Sequence, residues 1–379
     1  MTPPDPVSGE FEPRFQPVRD ELARQLAESR SAGASFAVFE RGRPVIDLWG
    51  GLAAAADGAW RRDSLGVIYS GSKGLVAFCI LLLHDRGLVD FESPVAEYWP
   101  QFAAAGKDRI LVRHVLSHTA GVPAMRAHVE IDELADDRHM AALVARERPI
   151  WPPGDVLCYH PLTYGWILGE LVRRIDGRSI GRFFDDEFAQ RLGLDAWIGL
   201  PDAEQERVVT LHHGGSWAPY AGAPAGDLVE DIVNNPRGRH DAPIPWNRGS
   251  MLGAEVPAIN GVASARAMAG LYALLTDPAQ ARLLFRGEPA ATALAQLASG
   301  VEYLGSEQWR FGAGFRLGTM TPLATPGLTS VGHPGAGGSV HGAWPELGYS
   351  FSFVMNELRG DDDQRAQRLL DALYVASRP

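Results

Sequence analysis

The segment Val67 to Arg86, VIYSGSKGLVAFCILLLHDR, leaves this chain the least freedom. From Leu75 to Leu83 every residue is apolar (LVAFCILLL), so a helix formed there has no polar face and has to be wrapped on all sides by other elements. The run is too short to span a bilayer. Gly87 follows at the position where a glycine ends a helix without steric cost. The segment therefore predicts a buried central helix, entered from a strand-like start at Val67, with the rest of a water-soluble chain built around it.

The remaining text supplies the cover. A length of 379 residues corresponds to about two to two and a half domains. Val18 to Ser29 has helical spacing, and Ala34 to Trp49 reads as two strands joined by a turn at Arg41-Gly42. From about Glu92 to Gly193 the pattern is mainly helical, with helices expected at Val112 to Leu116, Asp132 to Arg146 and Tyr164 to Ile175. Between residues 201 and 260 the sequence is crowded with Gly, Pro, Trp and His and has little periodicity. Trp217, Tyr220 and Trp246 are costly to leave in water, so these are expected to be ordered loops. Gly312 to Ala336 and Tyr349 to Asn356 alternate like strands, and Asp362 to Ala376 returns to an amphipathic helix. The expected fold is α+β, an antiparallel sheet flanked by helices. One α/β domain is built from residues 1–90 and 262–379, and a mostly helical domain, 91–261, is inserted with a loop excursion at about 201–260.

Charge and cysteine content narrow the function. The formal net charge is -11, and no basic stretch is interleaved with aromatics, so neither nucleic acid nor an anionic membrane is an expected partner. Hydrophobic residues make up 46% and charged residues 21%, the balance of a globular protein rather than a disordered one. Cys79 and Cys158 are too few for a disulfide framework or a four-ligand metal site. The N-terminal lead, MTPPDPVSGEFEPRF, has no basic segment followed by an apolar run. A cytoplasmic location is expected, while oligomeric state is not legible.

Three short stretches carry chemistry. In Ser70-Gly71-Ser72-Lys73, residues i and i+3 share a helical face, so Lys73 can bring its amine beside the Ser70 hydroxyl. A serine needs a neighbour to take its proton, and a desolvated lysine has a lowered pKa suited to that task. The helix start also offers free N–H groups to an oxyanion forming at Ser70. An N-cap serine with a solvated lysine is the plain alternative, but a first-turn lysine opposes the helix dipole and the flanks are apolar. Ser72, adjacent to Lys73 rather than a turn away, is read as a packing or hydrogen-bonding residue. In Cys158-Tyr159-His160-Pro161, Tyr159 is a candidate proton shuttle if a lysine's charge acidifies it, or else an aromatic at a helix entry. In Gly332-His333-Pro334-Gly335-Ala336-Gly337-Gly338-Ser339, small residues let main chain approach a substrate, and one N–H could complete an oxyanion hole; a glycine-rich hairpin is the plain reading. No G-x-S-x-G elbow occurs. His114 and His118 are four apart with VLS between them, unlike a zinc helix, and His212-His213 lies in the loop excursion, so no metal or cofactor is expected.

In order and separation, these stretches resemble the S-x-x-K, Y-x-N and K-T-G boxes of the serine β-lactamase and penicillin-binding-protein fold. Flanking text such as LVRHVLSHTAGVP (Leu111 to Pro123) and YHPLTYGWILGELVRRIDG (Tyr159 to Gly177) is similar to the class C-like branch, and most of all to its family VIII carboxylesterases. The resemblance runs from about residue 15 to 375 and is weakest at 200–260. It implies Ser70 as acylated nucleophile, Lys73 as its base, Tyr159 as proton shuttle, and the Ser70 and Ala336 N–H groups as oxyanion hole. Pro161 stands where the family has asparagine, and His333-Pro334 where it has lysine-threonine. Efficient β-lactam hydrolysis is therefore not expected, while hydrolysis of small to medium carboxylic esters is. His333, Gly335, Trp217, Trp246 and Trp344 are the expected substrate contacts. A β-lactamase or D-amino-peptidase, an acyltransferase using the same acyl-enzyme, and a non-catalytic binding protein are the alternatives.

Overall fold

In the computed structural model, which describes residues 6–29, 31–54, 58–318 and 327–378, the strand Tyr349–Met355 is buried at all seven positions. Burial on both faces of a strand requires cover on both sides of its sheet. On one face Tyr349 meets Phe15, Phe351 meets Trp344, and the Arg365 guanidinium lies over Phe353. The helices Gln16–Glu28 and Arg365–Ala376, packed on each other, cover that side. On the other face the Ser350 hydroxyl donates to the Ala269 carbonyl of the helix Ala265–Tyr272, and Ser352 pairs with His341 Nδ1.

Among the described residues the sheet has nine strands, in the spatial order Val7–Phe11, Arg43–Gly51, Gly33–Glu40, Tyr349–Met355, Val340–Trp344, Val331–Pro334, Arg316–Leu317, Gln308–Phe311 and Ala298–Val301. Every neighbouring pair is antiparallel. The two ends of the chain meet at its centre, where Phe36 stands opposite Phe353. The hairpin expected at Arg41-Gly42 is present, with φ of 46° and 76°, the left-handed pair that a tight two-residue turn demands.

The apolar run forms the helix Ser72–Asp85, and every residue from Ser72 to Leu83 is buried. Phe78 makes edge contacts with Tyr272 and Phe315, and the helix Thr163–Asp176 packs along it. Gly87 follows with φ 71°, as the sequence predicts. Among the described residues no helix is long and apolar enough to cross a membrane.

One local element adds to the expected fold and two expectations need correction. The proline-rich lead contains an edge strand, Val7–Phe11, whose Gly9 lets Asp47 approach so closely that an added Cβ would sit 2.1 Å from its carbonyl oxygen. The expected helix from Asp132 to Arg146 is broken, because Asp136 caps the His139 N–H and starts a new helix, Asp137–Arg146, after a 3-10 turn at Ile131–Ala135. The 201–260 excursion includes the helices Asp227–Asn234 and Gly249–Gly253. Residues 319–326 of the expected strand region lie outside the described residues.

Candidate active site

Ser70 sits in a 3-10 turn, Tyr69–Gly71, immediately before the central helix. Tyr69 has φ 46°, a left-handed conformation that costs a non-glycine residue about 1–2 kcal/mol. Its surroundings hold it there: the Tyr69 side chain is buried, the Ser72 hydroxyl donates to the Tyr69 carbonyl at 2.5 Å, and that same hydroxyl accepts the Gly261 N–H at 2.8 Å. Ser72 is thus occupied in bracing the turn. Gly71 is glycine because a Cβ there would stand 2.4 Å from His341 Cδ2.

Lys73 is completely buried. Its Nζ lies 3.2 Å from Ser70 Oγ and 2.9 Å from each of the carbonyl oxygens of Pro161 and Ala258. Burial, with a smaller contribution from the Arg239 charge, pushes its pKa well below the ordinary lysine value. A neutral amine has two N–H donors and one lone pair. The two carbonyls take the donors, which leaves the lone pair for the Ser70 proton. Pro161 thus keeps a main-chain role at a position where its side chain offers none.

Tyr159 is brought to the same place, its ring 4.8 Å from Lys73 Nζ. Burial, and secondarily Tyr220, pushes its phenol well above the usual value, with Ser70 and Arg316 pulling the other way. The sequence allows a tyrosine acidified by the lysine's charge; burial pushes the phenol the other way. Its ring lies 4.7 Å from that of His118, which burial holds neutral and whose Nδ1 accepts the His160 N–H. The Tyr159 N–H donates to Glu302 Oε1 at 2.9 Å.

The strand Val331–Pro334 and the turn after it bring His333, Gly335 and Ala336 to the cleft that contains Ser70 and Tyr159. Gly335 is pressed against the approach to Ser70, since a Cβ would meet the Ile68 carbonyl oxygen at 2.3 Å. His333 Nδ1 bonds the Pro334 carbonyl, its Nε2 is buried without a partner, and burial first, then Lys73, drives its pKa well down. The cleft encloses about 520 Å³.

Its aromatic lining differs from the expected one. Trp246 and Trp344 are fully buried in the hydrophobic core and do not reach the cleft. Trp217 stacks on His213 and bonds the His240 carbonyl beside a separate cavity. A tryptophan too costly to expose suits a pocket wall, but burial in the core satisfies the same demand. Besides Tyr159 and His333, the cleft is lined by the aromatics Tyr220 and Trp309, joined by Glu302 and Arg316. Tyr220 is among the aromatics that the sequence marks as costly to expose, and for Trp309 the clue is the pair of charges around it in EQWRF, Glu307 to Phe311. Among the described residues no three His, Cys, Asp or Glu side chains are grouped to hold a metal ion.

Comparison with known proteins identifies the family and the fold. Residues 18–376 match the Beta-lactamase family. The esterase/beta-lactamase LipL of Mycobacterium tuberculosis is 32% identical over 367 residues, covering 93% of this chain and 83% of LipL. A crystal structure of a family VIII carboxylesterase superimposes with a TM-score of 0.89 at 31% identity, over 98% of this chain and 99% of the other. EstA from Arthrobacter nitroguajacolicus Rue61a gives 0.82 at 28% identity, over 98% of each chain. The chain belongs to the beta-lactamase family, and within it is similar in structure to family VIII carboxylesterases.

Proposed function

We propose that the protein is a serine carboxylesterase that works through an acyl-enzyme on Ser70. The observation that carries this reading is the fully buried Lys73 amine, 3.2 Å from Ser70 Oγ, with its two other contacts committed to carbonyl oxygens. Ser70 Oγ attacks the ester carbonyl carbon while its proton passes to Lys73 Nζ. The carbonyl oxygen becomes an oxyanion held by the Ser70 and Ala336 N–H groups. Tyr159 gives its proton to the departing alkoxide and recovers one from Lys73. Water, deprotonated by the same pair, then releases the acid and restores Ser70.

Esters suit the site better than β-lactams because Pro161 offers no side-chain amide to hold a ring amide, and His333-Pro334 supplies no ammonium or hydroxyl in place of the family's lysine-threonine pair. The test is turnover of p-nitrophenyl acetate and butyrate by the wild type and by Ser70→Ala. The expected result is a burst followed by steady turnover, with loss of at least about 10³-fold in the variant. Equal rates in the two proteins would refute the reading, and nitrocefin turnover exceeding ester turnover would move it to a β-lactamase.

A further inference from the structure

The cleft contains a cation that the described residues pair only loosely. Arg316 lies in the short strand Arg316–Leu317, opposite Gly332 and so beside His333. Its side chain is 11% exposed, its guanidinium stands 3.7 Å over the Trp309 ring, and its Nε is buried without a hydrogen-bond partner. The carboxylate paired with it, on Glu307, is 3.9 Å from Nη2, beyond hydrogen-bond length, and belongs to a side chain 78% exposed. Glu307 also accepts the Trp309 Nε1–H. Glu302, the buried carboxylate of the cleft, is committed to the Tyr159 and Leu304 N–H groups.

Other buried arginines behave differently. Arg365 binds Asp363 and the carbonyls of Gly337 and Glu357, and Arg239 binds the carbonyls of Asn235 and Ile232 and the His240 ring. Those guanidiniums are satisfied by the protein, as buried charges have to be. Burial lowers the Arg316 pKa to about 10, which leaves it charged at neutral pH. The Trp309 ring under it holds the guanidinium at the cleft wall, where its fork of N–H donors suits the two oxygens of a carboxylate. Trp309 in turn packs edge-on against Tyr159, with ring centroids 5.8 Å apart, which sets the anchoring point one ring away from the reacting groups.

We propose that Arg316 anchors a free carboxylate on the substrate, so that the cleft selects esters carrying a second, unesterified carboxyl group, such as a monoester of a dicarboxylic acid. The proposal rests on the esterase reading above. Glu307 and Asp361 line the same cleft and repel an anion, which restricts the bound carboxylate to the guanidinium edge.

Ethanol release from monoethyl adipate and from its neutral counterpart, ethyl methyl adipate, tests the idea in the wild type, Arg316→Gln and Arg316→Lys. The wild type is expected to favour the acid over the neutral ester by about tenfold or more in kcat/KM, carried by KM. Arg316→Gln should bring the ratio to about one, and Arg316→Lys should retain part of it. A wild-type ratio at or below one overturns the proposal whether or not the variants fold, as does a Gln variant that slows both esters equally. Ser70→Ala in parallel separates the two levels: turnover that survives in it defeats the esterase reading. Calorimetric binding of monoethyl adipate to Ser70→Ala, with and without Arg316→Gln, then reads the anchor alone. Unchanged affinity in the double variant would refute the anchor.

Discussion

Lys73 sits where a charge is most expensive. Its folded pKa is depressed by burial, so between that value and the ordinary lysine value the unfolded chain binds a proton that the folded chain does not. Stability from this residue is therefore complete only above the unfolded pKa and is lost as pH falls toward the folded one. The difference in unfolding free energy between wild type and Lys73→Met should shift in favour of the wild type as pH rises from 7 toward 10. Denaturant titration at several pH values measures it, and a difference that does not change with pH would contradict the neutral amine. Activity has the same sign, because only the deprotonated amine accepts the Ser70 proton. The pH profile of kcat/KM should rise through a midpoint below the ordinary lysine value of 10.5 and then level off. Lys73→Met should lose about 10²- to 10⁴-fold. A midpoint at the free-lysine value would remove Lys73 from the base role.

At the scale of elements, the site depends on joints between segments far apart in sequence. Glu302, just beyond the strand Ala298–Val301, holds the Tyr159 and Leu304 N–H groups with its two carboxylate oxygens. Glu302→Ala leaves buried donors unpaired at about 1–3 kcal/mol each and frees the Tyr159 backbone. Both a lower Tm and a loss of about tenfold or more in kcat are expected, with KM for a small neutral ester changing less; a lower Tm alone would show Glu302 to be only structural. Such joints explain what was legible in the sequence and what was not. Ser70 and Lys73 are three residues apart, so one local geometry brings them together, and the apolar run that buries the lysine follows directly. Tyr159 and His333 could be assigned only through their boxes. Glu302, Trp309 and Arg316 belong to no box, and their place in the cleft follows from the pairing of short strands, which composition does not encode. The tryptophans failed for a related reason: an aromatic's need for burial says nothing about which surface buries it.

Taken whole, the molecule joins both ends of its chain at the centre of the sheet, and the helix Arg365–Ala376 reaches the turn beside the candidate site through the Arg365 side chain. Arg365, at the start of Arg365–Ala376, donates to the Gly337 and Glu357 carbonyls, and Gly337 belongs to the same turn as Ala336. Further along, Leu369, Leu370 and Leu373 are 0%, 2% and 0% exposed against the sheet and the first helix. Burial of three leucines contributes about 5–9 kcal/mol, as much as the total stability of many domains. Deleting residues 364–379 should therefore abolish cooperative unfolding rather than trim it, leaving a chain that elutes as aggregate and shows no thermal transition. Arg365→Met separates the two roles of the helix. It keeps the leucines, removes the bonds to the turn, and should lower kcat by about tenfold or more while preserving a cooperative melt. A truncated chain that melts within a few degrees of the full one, with ester turnover intact, would show that the C-terminal helix is dispensable both to the sheet and to the turn beside Ser70.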